Sequence, residues 1–335
     1  MKYLAILLAV LLCGSAAANV SQPANAVPQE YLLVIESPQE ESAKEEPQST
    51  VTLQLKTDGG VCTLELEEYL VGVVLSEMLP SFAEETFKAQ AVAARTFAIR
   101  MMYGGKHDDC SLCSNASCCQ AWNSRQTLKT KLGARFDEYW EKAQKAVRET
   151  QGEVLLYDGK LIEAVYFSCS GGTSEPAVAV WGTDVPYLQS VQSPGEESSG
   201  KYASEVRVSF QEFRSRLSRH NAEVWFAVMP QDWLGEVRRS AGGGVESMEL
   251  GGVKFSGTQL RKIFGLASTL FDVAIGNGEV IFSVRGYGHR VGMSQYGADA
   301  MARQGKTYRE ILCHYYTGVS IKKLSQTKLG QFVFT

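Results

Sequence analysis

Residues 66–102, LEEYLVGVVLSEMLPSFAEETFKAQAVAARTFAIRMM, decide how the rest of the chain is read. An apolar segment runs to a lone acidic residue, Glu77, and a turn at Pro80 follows. A long Ala-rich stretch then keeps a 3.6-residue period, with Phe87, Ala91, Ala94 and Ala98 on one stripe. The spacing predicts helix, turn and helix. Lys88 and Arg95 stand two helical turns apart on one side, with only Ala91 and Val92 between them. A small-residue surface flanked by two cations lets a ligand chain lie close to the backbone. A core helix with solvated Lys and Arg has the same pattern.

Strand-like runs surround this segment. VTLQLKT and VCTLELE flank Asp58-Gly59-Gly60, EVLLY and KLIEAVYFS flank Asp158-Gly159, and VAI and EVIFSVRG flank Gly276-Asn277-Gly278, so three hairpins are predicted. Further helices are expected over 136–150, near 210–219, and near 257–265 behind Ser256. Two more follow the Gly-dense loop at 286–292. Hairpins and helices that do not alternate as strand–helix–strand units point to an α+β fold, a mixed sheet with helices in two lobes around a groove. The middle third, 190–265, shows no chemistry and reads as a separate lobe.

The chain has 335 residues, long enough for one large or two ordinary domains, and 33 Lys plus Arg against 37 Asp plus Glu give a net charge of −4. That balance supplies no sequence-independent grip on nucleic acid. Lys2, an apolar run over 3–14 and SAAAN over 15–19 read as a signal peptide (1–18), with a membrane anchor or a lipid-anchor signal at Cys13 as rivals. Each places the protein outside the cytoplasm. Residues 19–50, rich in Pro, Ser, Gln and Glu, have the composition of a spacer.

Of eight cysteines, seven lie beyond the leader, an odd number that disulfides within one chain cannot exhaust. His107, Cys110, Cys113, Cys118 and Cys119 cluster in the loop YGGKHDDCSLCSNASCCQAW, and His107, Cys113 and Cys119, spaced six and six, suit a tetrahedral zinc. A local disulfide, for instance Cys110 with Cys118, is the other option. Leu75, Met78, Leu79 and Phe82 would desolvate Glu77 and raise its pKa, as a general acid requires; an exposed helix-end Glu is the bland alternative. CSGGTSEP should be an exposed loop. The glycines around His289 would let backbone approach a ligand, which His289 could meet as a donor, or His289 could only fix the loop. Ser294, Gln295 and Tyr296 would open a helix whose free N–H groups suit a hydroxyl-bearing or anionic ligand. No G-x-S-x-G elbow or Ser-His-Asp triad can be assembled. No second carboxylate is marked out near these loops, as ordinary glycosidases need.

Four collinear pieces, LEEYLVGVVLSEM with KAQAVAARTFA, H-x5-C-x5-CQAW, YFSCSGGTSEPAVAVWG, and GHRVGMSQYGADAMARQG with ILCHYYTGV, resemble the stage II sporulation protein D family over residues 50–320. The resemblance implies a secreted or anchored peptidoglycan lytic transglycosylase acting on septal wall during engulfment. The catalytic region would span 51–320, leaving 321–335 as a tail. It implies Glu77 as catalytic acid then base, and Lys88, Gln90, Arg95, Tyr166, Ser170, Gly171, Gly172, His289, Gln295 and Tyr296 as substrate-binding residues. His107, Cys113 and Cys119 would hold structural zinc. Implied partners are glycan strands and a wall amidase or endopeptidase such as stage II sporulation protein P. Its relatives include amidase enhancers, so a non-catalytic wall binder is one alternative and a zinc peptidoglycan hydrolase another. The chain departs from the family at EMLPSF, usually EMPASF, and at Cys169, usually a small polar residue.

Overall fold

The computed structural model describes residues 51–324; the expected leader and spacer and the last eleven positions lie outside the described residues. Strands β1 (Thr52–Thr57) and β2 (Gly60–Glu65) form the first hairpin, with Thr57 opposite Gly60 across the turn. Helix α1 (Leu66–Glu77) follows directly, and after the Pro80 turn comes α2 (Glu84–Gly104), closed by Gly105 in the left-handed region. The apolar stripe understates α2, because Thr86, Phe87 and nearly every residue from Ala89 to Ile99 are buried. Alanines on several faces let helices and a strand approach from all sides, so α2 is the central rod of the fold.

Around it stand β3 (Leu112–Cys113), which pairs in parallel with β1, α3 (Arg125–Leu132), α4 (Phe136–Glu149), β4 (Glu153–Tyr157), β5 (Lys160–Leu161), β6 (Tyr166–Phe167) and α5 (Ala177–Trp181). The chain then leaves to build a second hydrophobic core from β7 (Ala203–Ser209), α6 (Phe210–His220), β8 (Leu234–Arg239), β9 (Val245–Leu250), β10 (Val253–Ser256), α7 (Gly257–Phe264), β11 (Leu270–Ile275) and β12 (Glu279–Arg285). Its centre is Phe213, stacked on Phe264 at 5.2 Å and Trp233 at 6.1 Å. Ser256 caps α7 in a reciprocal capping box with Gln259. The chain returns through β13 (Met293–Ser294), α8 (Gln295–Arg303), α9 (Tyr308–Tyr315) and β14 (Ser320–Lys323).

Several small separate sheets with helices make this a mixed α+β fold. The three expected hairpins form, and the antiparallel sheet β10-β9-β8 adds strands that the pattern of the middle third did not disclose. Residues 320–324 pack on the fold: β14 pairs antiparallel with β4, Leu324 N–H donates to the Gly152 carbonyl, and the Leu324 side chain is buried. Among the described residues, no helix is long and apolar enough to cross a membrane.

Candidate functional site

Helix α1 ends on Glu77. Its Oε1 accepts the Ala121 N–H at 2.8 Å, and its Oε2 accepts the Gln295 side-chain amide at 3.3 Å. Leu75, Met78 and Phe82 are buried. Desolvation raises the carboxyl pKa, and the two hydrogen bonds, which favour the ionised form, offset part of that rise. A carboxyl group so placed holds a proton more readily than a free glutamate, yet has two fixed donors ready when it ionises. Leu79, expected to help desolvate it, is 45 % exposed.

Both donors are themselves fixed. Gln120 is buried; it accepts from the Tyr166 hydroxyl at 2.7 Å and donates to the Tyr69 hydroxyl at 3.1 Å, which orients the peptide whose next N–H is that of Ala121. Gly72 on α1 leaves room for the neighbouring indole, since a Cβ there would lie 2.3 Å from Trp122 Nε1. Asn123 Nδ2 donates to Ser76 Oγ at 2.8 Å. On the other side, β13 pairs in parallel with β6, Met293 opposite Tyr166, which brings Gln295 to the same carboxylate as Tyr166. Burial first, and the charge of Glu77 second, push the Tyr166 phenol well above its usual range, so it stays a donor. Buried Gln90 lies close enough to act on that phenol's ionisation, but its carboxamide makes no hydrogen bond of good geometry.

The two loops expected as ligand-facing walls are turned inward. Ser170 is fully buried and Gly171 is buried, against the expectation of an exposed CSGG loop. Glu196 explains it: its Oε2 accepts the Ser170 and Gly171 N–H groups at 2.9 Å each and the Ser170 hydroxyl at 2.7 Å, while its Oε1 accepts the Ser193 and Ser294 hydroxyls. A buried carboxylate with this many donors is held by them. The glycines serve backbone-to-backbone packing: a Cβ on Gly171 would meet Gly286 N at 2.8 Å, and one on Gly292 would meet the Val165 carbonyl at 2.2 Å. Burial around the Cys169 thiol pushes its pKa up to about 12, which disfavours the thiolate.

His289 fixes its loop. Its Nδ1 accepts the Val291 N–H at 3.2 Å, its ring lies 5.6 Å from both Phe167 and Trp181, and burial pushes its pKa down to about 4. The start of α8 has little to offer a ligand either: the Tyr296 N–H donates to the Ser168 carbonyl and the Gly297 N–H to Ser294 Oγ. Arg290, fully buried with a φ of 67°, bonds the Ser170, Thr173 and Gly242 carbonyls and pairs with buried Glu175 at 2.8 Å. Gly242 precedes β9, so this clamp ties the second core to the CSGG loop. Two further carboxylates, Glu175 and Glu196, thus stand at loops where none was marked, both committed internally.

The expected cationic rail does not form. Arg95 is fully buried; its guanidinium grips Glu67 through Nε at 2.9 Å and Nη2 at 2.7 Å and reaches the Val147 and Glu153 carbonyls. Lys88 pairs with Glu85 at 2.8 Å and Glu149 at 2.9 Å. The α2 face that carries them packs against α4 and β4. The cations that hold the turn after Glu77 are others, Lys142 and Arg303. Lys142 Nζ donates to the Pro80 and Phe82 carbonyls, Arg303 Nη2 donates to the Ser81 carbonyl at 2.8 Å, and Asp299 accepts the Ala83 N–H at 2.6 Å. These bonds strap down the turn that follows Glu77.

In the Cys-rich loop, His107, Cys113, Cys118 and Cys119 bring one ligand atom each within 4.8 Å of one another. His107 Nε2 lies 3.2 Å from Cys119 Sγ and 3.8 Å from Cys118 Sγ. Cys118, not among the three expected ligands, completes a four-donor set able to bind a metal ion. The Cys110–Cys118 disulfide is not formed; Cys110 is buried apart from the cluster and all seven described cysteines are free. Cys119 directly precedes Gln120 and Ala121, so this cluster anchors the peptide that donates to Glu77. Sequence reasoning missed Ala121 because a backbone donor has no residue signature; adjacent Cys118-Cys119 was the available sign of the fourth ligand.

Residues 56–157 match the family described as stage II sporulation protein. The stage II sporulation protein D of Bacillus amyloliquefaciens is 38 % identical over 288 residues, covering 85 % of this chain and 81 % of that protein. The protein of that name from Bacillus subtilis is 36 % identical over 77 % of this chain and 74 % of its own length. A Bacillus subtilis protein named amidase enhancer is 27 % identical over 75 % of this chain, which covers 40 % of it. Identity at this level, over most of both chains, makes this protein a member of the stage II sporulation protein D family.

Proposed function

We propose that this protein is a peptidoglycan lytic transglycosylase in which Glu77 is the acid and then the base. The observation that carries the reading is the Glu77 carboxyl group itself, desolvated, raised in pKa and gripped by one N–H on each oxygen. In the first half, Glu77 gives its proton to the glycosidic oxygen as the bond to C1 of N-acetylmuramic acid breaks. In the second, the 6-hydroxyl oxygen of the same sugar closes on C1 and its proton passes to ionised Glu77. The product is a 1,6-anhydro end, no water is consumed, and one carboxyl group suffices. Ala121 and Gln295 stabilise the ionised interval. Tyr166, kept protonated, holds Gln120 and with it the Ala121 donor.

His107, Cys113, Cys118 and Cys119 suit zinc, which when bound would cross-link the loop beside Ala121. Four protein donors leave no open position, which favours a structural ion over a hydrolytic one. On this reading the protein works outside the cytoplasmic membrane on septal wall during engulfment. Its substrate is glycan stripped of stem peptides, and its partner a wall amidase or endopeptidase such as stage II sporulation protein P. The relative named amidase enhancer supports a second reading, a wall binder that stimulates another enzyme. Mass spectrometry of denuded glycan after incubation with wild type and Glu77→Gln separates the two. Anhydro ends from wild type, reduced about 10²–10⁴-fold by the substitution, support the transglycosylase. Anhydro ends at equal rates from both proteins sink the role of Glu77, and none from either favours the binder.

A further inference from the structure

A cleft of ≈ 360 Å³ opens between the turn that follows Glu77 and helix α8, lined among others by Leu79, Phe82, Ser198, Ser199, Tyr296 and Arg303. The same two chain segments build the cleft and the acid: Leu79 lies two residues after Glu77, and Tyr296 follows Gln295, whose amide holds the carboxylate. Its volume suits one or two sugar rings. Tyr296 sets its ring edge-on to Phe82 at 5.0 Å, giving the cleft a fixed apolar floor. Arg303 is 58 % exposed at the side chain, yet two of its nitrogens are fixed, Nε on Asp299 at 2.7 Å and Nη2 on the Ser81 carbonyl at 2.8 Å. Nη1 makes no hydrogen bond among the described residues. A guanidinium held by two bonds in the lining of a cleft, with its third nitrogen unbonded, is a preorganised anion donor. Lys142, bonded to the Pro80 and Phe82 carbonyls, adds positive charge behind it.

We infer that Arg303, with exposed Leu79, is the specificity determinant for muramic acid whose lactyl group is a free carboxylate. This rests on the glycan reading above. The lactyl ether offers a methyl group and a carboxylate on adjacent atoms, matching an exposed leucine beside a fixed guanidinium. Attachment of a stem peptide turns that carboxylate into a neutral amide, which Arg303 pairs with far more weakly. Strands stripped of peptides are then preferred at this cleft by charge, in a position Lys88 and Arg95 cannot reach.

The test is binding, measured by calorimetry, of defined muramic-acid-containing glycan fragments with the lactyl carboxylate free or methyl-esterified, to wild type, Arg303→Gln and Arg303→Lys. Wild type should prefer the free acid by about fivefold, the scale of a solvent-edge ion pair. Arg303→Gln should lose that preference while keeping its affinity for the ester, and Arg303→Lys should retain a preference. Equal preference in wild type and Arg303→Gln, no preference or no binding in wild type, or Lys behaving as Gln overturns the assignment. If the preference follows Arg303 while no anhydro ends are ever made, the transglycosylase reading falls and this one stands.

Discussion

Arg95 gives the sharpest separation between a ligand-binding and a structural cation. Its side chain is 0 % exposed and Glu67, its partner, is 29 % exposed. Replacing Arg95 by Met keeps an unbranched chain of similar reach on α2 but removes both bonds to Glu67 and the donors to the Val147 and Glu153 carbonyls. Removing one partner of a buried pair costs about 3–5 kcal/mol, and because Glu67 keeps water contact the low end, about 3 kcal/mol, is expected. At ~2–4 °C per kcal/mol for a domain of this size, the midpoint should fall by about 6–12 °C. Lys88→Gln removes two partly exposed ion pairs and should cost less, at most about 1 kcal/mol for each. The assay is thermal and urea unfolding of both variants, with glycan affinity measured well below the midpoint. Arg95→Met should keep wild-type affinity while folded. An unchanged midpoint with lost affinity would refute the assignment of Arg95 to the fold.

Two further outcomes follow from the same geometry. His289 has a pKa pushed down to about 4, below the usual imidazole value, so between pH 6.5 and 4 the unfolded chain binds a proton that the folded chain refuses. Stability should fall as pH drops through that window, by at most about 1.4 kcal/mol per pH unit from this group, and the comparison of wild type with His289→Gln by urea titration at pH 7 and pH 5 checks it; identical slopes in both proteins count against a half-buried neutral imidazole. Cys118→Ser should weaken metal binding more than about 100-fold, since even outer partners of a metal ligand are worth 10–100-fold. Metal content by mass spectrometry and protease cleavage within 105–120 read it out, and full retention of metal with unchanged cleavage would remove Cys118 from the ligand set.

The hairpins, the helix–turn–helix at 66–102 and the capped helix behind Ser256 were legible because each depends on neighbours in sequence: turn glycines, a 3.6-residue period, a cap. The direction of the Glu77 shift was legible too, because Leu75, Met78 and Phe82, close by in sequence, mark a buried setting. The rail of Lys88 and Arg95 was misread because spacing fixes which side of a helix a residue occupies and leaves open what that side meets. The loop 168–173 was misread as surface because glycine signals backbone freedom without saying whether ligand or another backbone fills the space. Glu196, in a polar loop with no pattern, became visible only once three segments converged on its carboxylate.

The sequence by itself determined the local elements, the family and the acid at the end of α1, because those are written in short-range pattern and chemical type. Only the tertiary structure decided which donors hold Glu77, that Arg95 belongs to the core, that Cys118 joins the His107–Cys113–Cys119 cluster, and that Lys142 and Arg303 strap the turn. Each of these joins residues distant in sequence or depends on which atoms face inward, and long-range contact and burial are set by the packing of the whole chain.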